Sequence, residues 1–160
     1  MKFYAAHTTI VNPPSASPKI TREQLWAALK QKSRDPIRFV PVIETCEVIK
    51  EDAFGLTRVV QFKPGTGPPG KVTEVVTFTE GVKADFFTPD NGTTVSNIIS
   101  FGEDDSELYL TFAFNMNFPQ FEEGSEQADA QTKKLWQSSQ GAAARTVDQL
   151  REMLEEGSFH

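Results

Sequence analysis

Cysteine and histidine are scarce in this chain, and their scarcity excludes several kinds of site. Cys46 is the only cysteine, and His7 and the terminal His160 are the only histidines. One cysteine cannot form an internal disulfide, and without a Cys/His cluster no metal site is expected. The segment GTGPPG, residues 65–70, lacks the Lys-Ser/Thr and the following helix of a phosphate-binding loop. We therefore expect neither a metal nor a cofactor.

The chain also lacks an excess of positive charge and any long apolar run. The 160 residues carry a formal net charge of −6, which argues against a nucleic-acid partner and against an anionic membrane surface. No apolar run approaches membrane-spanning length, and MKFYAAHTTIVNPPS is too polar and proline-rich for a secretory signal. These features predict a single cytoplasmic domain over residues 1–160, with no nucleic acid and no membrane as partner. A homodimer is left open.

Helical periodicity is present in two parts of the chain. In ITREQLWAALKQKSRDP, residues 20–36, Thr21 and Gln24 fit a capping box and Pro36 ends the helix. IRFVP, residues 37–41, predicts a second short helical turn. Near the C terminus, residues at three- and four-residue spacing predict one long helix; they are Trp136, Ala143, Val147, Leu150 and Leu154.

The remaining pattern has the period of two that is typical of strands. Strands are predicted at 3–11, 42–50, 55–63, 71–79, 82–88, 94–101 and 107–117, and the short turns between them indicate an antiparallel meander. The expected fold class is α+β: a curved antiparallel seven-stranded sheet around a long C-terminal helix, with two short helices after strand 1. The small side chains of GAAA, residues 141–144, fit either a cavity beneath that helix or close packing of helix on sheet.

Four segments carry a resemblance to a known family: REQLWAALKQKSRDPIRFVPVIETCEVI, HTTIVN, GLTRVVQFKPG and SELYLTFAF. The chain resembles the AtaL-like family of the SRPBCC superfamily, which includes START-domain and birch-pollen-allergen-like proteins. The resemblance covers essentially the whole chain. It implies a helix-grip fold around a deep hydrophobic pocket, and members that look like ligand-binding or tailoring proteins, the fungal ones in secondary-metabolite gene clusters. It supplies no catalytic motif to carry over.

A charged residue interrupts the apolar face of each strand in GLTRVVQFKPGTGPPGKVTEVVTF. These residues are Arg58 and Glu74. If the two strands pair with Phe62 opposite Val72, Arg58 and Glu74 are diagonal neighbours on the inner face of the sheet. Unpaired buried charges are costly. Either Arg58 braces the sheet by pairing with Glu74 or Glu44, or the face lines a wet pocket where Arg58 stabilises an oxyanion and a carboxylate moves a proton.

The same alternation, with Val48 opposite Leu56, extends the predicted site to the other strands. Candidate catalytic residues are Arg58, Glu74, Glu44 and His7, the last of which faces either the pocket or solvent. The predicted ligand-binding residues are Val60, Phe62, Val76, Phe78, Ala84, Phe86, Asn97, Ile99, Leu110, Phe112, Phe114, Trp136 and Ala143. Apolar walls with a few polar groups are typical of pockets of roughly 300–1,000 Å³.

Three functions are compatible with these features. The main prediction is a cofactor-independent tailoring enzyme of the cyclase, isomerase or dehydratase type, acting on a hydrophobic small molecule of secondary metabolism. The alternative is a non-catalytic carrier of such a metabolite. A protein–protein adaptor is less favoured, because surface aromatics outside the strand pattern, such as Phe118 and Phe121, are few.

Overall fold

The computed structural model of the chain describes residues 1–104 and 107–159. Its elements are β1 (Lys2–Ile10), α1 (Arg22–Arg34), β2 (Ile43–Asp52), β3 (Gly55–Phe62), β4 (Lys71–Thr79), β5 (Lys83–Thr88), β6 (Thr93–Phe101), β7 (Leu108–Asn117), α2 (Glu126–Ser139) and α3 (Ala142–Glu155). Within the described residues, no helix has both the length and the apolar character needed to span a membrane.

The seven strands form one antiparallel sheet in the order β1-β7-β6-β5-β4-β3-β2. The predicted meander is therefore confirmed. Strand β1 pairs with β7 and forms one edge of the sheet. Tight turns join neighbouring strands because glycine occupies their left-handed positions. Gly81 between β4 and β5 has φ 70°, and Gly92 between β5 and β6 has φ 74°, a region that costs other residues energy.

Helix α1 begins at the predicted capping box. The Gln24 amide donates to Thr21 Oγ1 at 3.1 Å, and the Thr21 amide donates to Gln24 Oε1 at 2.9 Å. The helix ends at Arg34, just before Asp35 and Pro36. The predicted second short helix is present only as a turn, in which the Phe39 and Val40 amides both donate to the Pro36 carbonyl.

The C-terminal helical segment is divided where one long helix was predicted. Gln140 caps α2, and Gly141, with φ 77°, precedes α3. The left-handed conformation of Gly141 breaks the helix. Ala143, Val147 and Leu150 of α3 are buried in the main hydrophobic core with α1 and β7. Of residues 141–144, Ala142 and Ala143 thus serve close packing, and none of the four lines the cavity described below.

Strand pairing differs from the predicted register by two residues between β3 and β4. Arg58 pairs directly with Glu74, and Val60 pairs with Val72 instead of Glu74. The loop between β3 and β4 is longer than predicted, since Gln61 and Lys71 are the last paired residues before it. An offset of two residues preserves which side chains face inward, so Arg58 and Glu74 still share the inner face.

Strand β2 departs further from the prediction because it is irregular. Its register against β3 shifts between Ile43 and Thr45 and again between Val48 and Lys50, and Val48 pairs with Arg58 rather than with Leu56. Such irregularities insert an extra residue and re-aim its side chain. Ile43 takes the buried position and Glu44 is exposed. The predicted inward orientation of Glu44 is therefore wrong.

Candidate functional site

A cavity of about 260 Å³ lies on the inner face of the sheet, beside the last turn of α1. It is slightly smaller than the predicted size class. Its lining residues come from α1, the segment before β2, strands β2 to β7, the β3–β4 and β5–β6 loops and the residue that follows β7. They are Lys32, Val40, Ile43, Arg58, Phe62, Pro68, Val72, Glu74, Phe86, Thr88, Asn91, Thr93, Val95, Asn97, Phe114, Met116 and Phe118.

The cavity combines an apolar wall with buried charged groups, which sets it apart from other clefts. A larger cleft of about 430 Å³ lies beside Asn12 and Phe101, but its charged residues, Lys19 and Arg22, are exposed. In contrast, Lys32 and Arg58 are 6% and 4% exposed. Convergent polar groups in an apolar cavity are the usual mark of a small-molecule site.

Buried Arg58 and half-buried Glu74 form an ion pair across β3 and β4. The Glu74 Oε2 atom accepts from Arg58 Nε at 2.8 Å and lies 2.7 Å from Nη2. Arg58 Nη1 donates to the carbonyls of Lys32 and Ser33 at 3.1 and 3.0 Å. These carbonyls belong to the last turn of α1, where no further helical turn supplies donors. Arg58 therefore fastens the end of α1 to the sheet and holds Glu74 in place.

Lys32 is the third charged group of the cavity, and it projects from α1 into it. Its Nζ donates to Asn97 Oδ1 at 2.7 Å and lies 4.3 Å from the centre of the Phe112 ring and 5.2 Å from that of Phe86. Burial, and to a smaller extent the charge of Arg58, lower the pKa of Lys32 from 10.5 to about 7, and the charge of Glu74 opposes this shift. Near neutral pH the Lys32 amine thus exchanges between ammonium and free base.

Asn97 on β6 carries an amide donor that no other described residue satisfies. The residue is fully buried, and its Oδ1 accepts from Lys32. Within the described residues, its Nδ2 group has no hydrogen-bond acceptor. Unsatisfied buried donors are rare in folded proteins, because each costs free energy. An acceptor atom on a ligand in the cavity would remove this cost.

The structure brings together six of the residues that the sequence predicted for the site. Arg58, Glu74, Phe62, Phe86, Asn97 and Phe114 line the cavity. Seven others lie on elements that face the interior but are packed in the hydrophobic clusters; they are Val60, Val76, Ala84, Ile99, Leu110, Phe112 and Ala143. Phe78 is half-buried against Trp26, with ring centroids 5.7 Å apart.

Two further predicted residues lie together outside the cavity. His7 Nε2 is 3.1 Å from Ser139 Oγ, and its ring meets Trp136 edge-on at 5.5 Å. Trp136 packs on Phe3 as well and is 46% exposed. α2 packs against β1, and neither His7 nor Trp136 is among the residues that line the cavity. Glu44, the remaining candidate, is exposed at the irregular start of β2.

Lys32 is the ionisable residue of the cavity that the sequence prediction missed. It follows Leu25, Ala28 and Leu29 at spacings of seven, four and three residues, so it lies on the buried stripe of α1. The sequence did contain a signal for this residue, namely a lysine at a position on the apolar stripe of α1. The described part of the chain contains no group of three or more His, Cys, Asp or Glu side chains placed to hold a metal ion.

The fold and the cavity define the class of this protein. A curved seven-stranded antiparallel sheet against a C-terminal helix is the helix-grip architecture. The structure is similar to that of Ara h 8.0201, with a TM-score of 0.61, 11% sequence identity, and coverage of 95% of this chain and 99% of that one. It is also similar to the di-domain ARO/CYC StfQ from the steffimycin biosynthetic pathway, with a TM-score of 0.69 and 12% identity, over 98% of this chain and 52% of that one. The predicted fold class is confirmed.

The family is defined by sequence. The model of the AtaL family, described as acetylaranotin biosynthesis cluster protein L, matches residues 5–157. The chain belongs to this family, as its resemblance predicted. A curated relative, acetylaranotin biosynthesis cluster protein L of Aspergillus terreus (strain NIH 2624 / FGSC A1156), is 24% identical over 159 residues, which cover 98% of this chain and 93% of the relative.

Proposed function

We propose that this protein binds an apolar small molecule of secondary metabolism in the cavity and modifies it as a cofactor-independent tailoring enzyme of the cyclase, isomerase or dehydratase type. The observation that carries the proposal is a set of three ionisable side chains in an apolar cavity: Lys32 and Arg58, which are buried, and Glu74, which is half-buried. A family member is named for a biosynthesis cluster, and a structural neighbour is described as a di-domain ARO/CYC of the steffimycin biosynthetic pathway.

The three side chains have separate roles in this proposal. Arg58 is a positioning residue, since its donors are bound to Glu74 and to the carbonyls at the end of α1. Glu74 and Lys32 move protons to and from the ligand, and the pKa of Lys32, about 7, suits this task at neutral pH. The apolar wall, including Phe62, Phe86 and Phe114, holds the ligand in a reactive conformation.

A carrier without catalytic activity is the second candidate. The observation that favours it is the hydrogen bonding of Arg58, whose contacts to Glu74 and α1 suffice to explain a structural ion pair. In this case the apolar wall alone would provide the affinity, and Lys32 and Asn97 would select for a polar group on the ligand.

The deciding experiment compares conversion with binding. A culture of the source organism from which this gene has been deleted should accumulate the compound on which the protein acts. We would incubate its organic extract with the wild type, Glu74→Gln and Val95→Trp, a variant that fills the cavity. Native mass spectrometry would detect bound compounds, and chromatography would detect converted ones.

Each function gives a different result in this comparison. An enzyme converts a compound that Glu74→Gln binds without converting, and Val95→Trp neither binds nor converts it. A carrier retains the same compound unchanged in the wild type and in Glu74→Gln. If no compound is retained or converted by the wild type, or if Val95→Trp behaves like the wild type, the cavity is not the functional site.

A further inference from the structure

The amine of Lys32 has no carboxylate partner of its own. Among the described residues, the Glu74 carboxylate pairs with Arg58, and the hydrogen-bond acceptor of Lys32 is the neutral amide of Asn97. Groups facing Lys32 from the other packed elements are the rings of Phe86 on β5 and Phe112 on β7. The titratable or charged groups near it are therefore Arg58 on β3 and Glu74 on β4. This buried environment disfavours the ammonium ion relative to its state in water.

The amide of Asn97 adds a hydrogen-bond donor at the same place. Its oxygen accepts from the Lys32 amine, and its Nδ2 group has no acceptor within the described residues. Asn97 is one of the residues that line the cavity. The Lys32 amine and the Asn97 N–H donor therefore lie close together in an otherwise apolar part of the cavity. A carbonyl group is the ligand group that fits both, because its oxygen accepts from the N–H while its carbon faces the amine.

We propose that Lys32 and Asn97 form a carbonyl-binding subsite, in which Lys32 Nζ condenses with an aldehyde or ketone of an apolar ligand to give an imine. This inference rests on the proposed function and names its substrate class. The apolar remainder of the ligand lies against Phe62, Val72 and Phe114. The cavity of about 260 Å³ suits a compound of the size of a fused pair of aromatic rings.

The condensation is balanced without a further reactant. The Nζ lone pair forms a bond to the carbonyl carbon, and the carbonyl oxygen, held by Asn97 Nδ2, takes up a proton to become the hydroxyl of a carbinolamine. Loss of that hydroxyl with a proton from nitrogen releases one water and leaves the C=N bond. No group is oxidised or reduced, and the addition of water reverses the reaction. Glu74 lines the same cavity and can relay the protons.

The protonation state of Lys32 supports this step. With a pKa of about 7, roughly half of the Lys32 amine is unprotonated at pH 7. An ordinary lysine has a pKa near 10.4, so its unprotonated fraction at this pH is smaller on the order of 1,000-fold. Reaction with a carbonyl compound at pH 7 should therefore distinguish Lys32 from surface lysines.

The experiment traps the imine with a simple probe. We would incubate the full chain with 2-naphthaldehyde at pH 7 in the presence of sodium cyanoborohydride, which reduces an imine to a stable naphthylmethylamine, and locate the label by peptide mass spectrometry. Binding of 2-naphthylmethanol, which has the same rings and no carbonyl, would be measured separately by fluorescence. Lys32→Met removes the amine at similar length, and Lys30→Met is the matched control, because Lys30 is on the same helix with a side chain that is 32% exposed.

We expect Lys32 to be labelled at least about tenfold faster than any other lysine at pH 7. The label at this position should be absent in Lys32→Met and unchanged in Lys30→Met. Asn97→Asp keeps the oxygen that accepts from Lys32, removes the N–H donor and adds a negative charge. Its pH midpoint of labelling should move upward, and labelling at pH 7 should fall by about tenfold for each unit of that shift.

The controls separate the failure of this inference from that of the proposed function. If 2-naphthylmethanol binds but the aldehyde labels Lys32 no faster than Lys30, the imine is excluded and the cavity remains a ligand site. If Asn97→Asp labels with the wild-type rate and pH midpoint, Asn97 has no part in the subsite. If neither probe binds to or reacts with the wild type, the cavity does not take apolar ligands, and both proposals fail.

Discussion

Lys32 and Asn97 are 65 residues apart in sequence, yet the Nζ of the first lies 2.7 Å from the Oδ1 of the second in a buried hydrogen bond. The bond joins the last turn of α1 to the centre of the sheet. It places an amine with a lowered pKa beside an amide donor that has no partner within the described residues. Both features reduce the stability of the folded protein, which makes their effect measurable.

The burial of Lys32 should make stability depend on pH. Its pKa of about 7 in the folded protein is below the usual value of 10.5. Between these pH values the unfolded chain holds a proton that the folded chain has released, so stability rises with pH. Below pH 7 the Lys32 amine is protonated in both the folded and the unfolded chain, so the folded protein bears the full free-energy cost of a buried ammonium ion. Lys32→Met should therefore be more stable than the wild type by about 1–4 kcal/mol at pH 6, and this advantage should shrink by about 1.4 kcal/mol per pH unit above pH 7.

Urea unfolding of the wild type, Lys32→Met and Lys30→Met at pH 6, 7, 8 and 8.5 measures this dependence. Lys30 pairs with Glu80 at the surface, so Lys30→Met should follow the pH dependence of the wild type. A constant difference between Lys32→Met and the wild type over this range would show that Lys32 remains an ammonium ion in the folded protein.

The Arg58–Glu74 pair should contribute far more to stability than an ion pair at the surface. The two side chains are 5% and 15% exposed. Arg58→Met would leave the Glu74 carboxylate without this partner and the Lys32 and Ser33 carbonyls without their donor. We expect a loss of about 3–5 kcal/mol. Since Arg58 also lowers the pKa of Lys32, this pKa should rise in the variant.

The control is Arg34→Met. This variant removes the ion pair between Arg34, which is also in the last turn of α1, and Glu51 of β2. Its side chains are 44% and 34% exposed, so the loss should stay within about 1 kcal/mol. Equal losses in the two variants, measured by urea unfolding, would contradict a bracing role for Arg58.

The sequence predicted the strand order and the inner face because both follow from local patterns. The alternation around Arg58 and Glu74 survives a two-residue error in register, since every inward residue remains inward. The capping box at Thr21 and Gln24 was likewise local and was confirmed. The position of Glu44 was not predictable in this way, because one inserted residue in β2 turns it outward.

The composition of the cavity could be predicted only in part, since it depends on how α1 crosses the sheet. Leu110 and Phe112 share a strand face with Phe114, but α1 and α3 cover the first two and leave Phe114 open to the cavity. Lys32 has no special local pattern beyond its place on the apolar stripe of α1. Its role depends on contacts with Asn97 and Phe112, which are distant in sequence.

His7 should have a structural role. It lies between Ser139 and Trp136 of α2 and the strand β7. His7→Gln keeps a hydrogen-bonding group but loses the edge-on contact with Trp136, so we expect a loss of about 0.5–1.5 kcal/mol. Binding of 2-naphthylmethanol and the labelling of Lys32 should be unchanged. A loss of labelling with full stability would instead restore His7 as a catalytic candidate.

The β3–β4 loop should set the shape of the cavity through Gly67. A Cβ at this position would lie 2.5 Å from Cγ of Phe62, and Phe62 and Pro68 both line the cavity. Gly67→Ala should therefore displace the Phe62 ring and weaken the binding of 2-naphthylmethanol about fivefold, which corresponds to about 1 kcal/mol. Gly65→Ala in the same loop is the matched control, since nothing lies within 4 Å of its Cβ and its φ of +77° penalises any side chain. That variant should lose roughly 1–2 kcal/mol of stability and keep its affinity. If Gly67→Ala binds the probe as tightly as the wild type does, then Phe62 is not part of the binding surface, and the ligand must lie closer to Lys32 and Phe86.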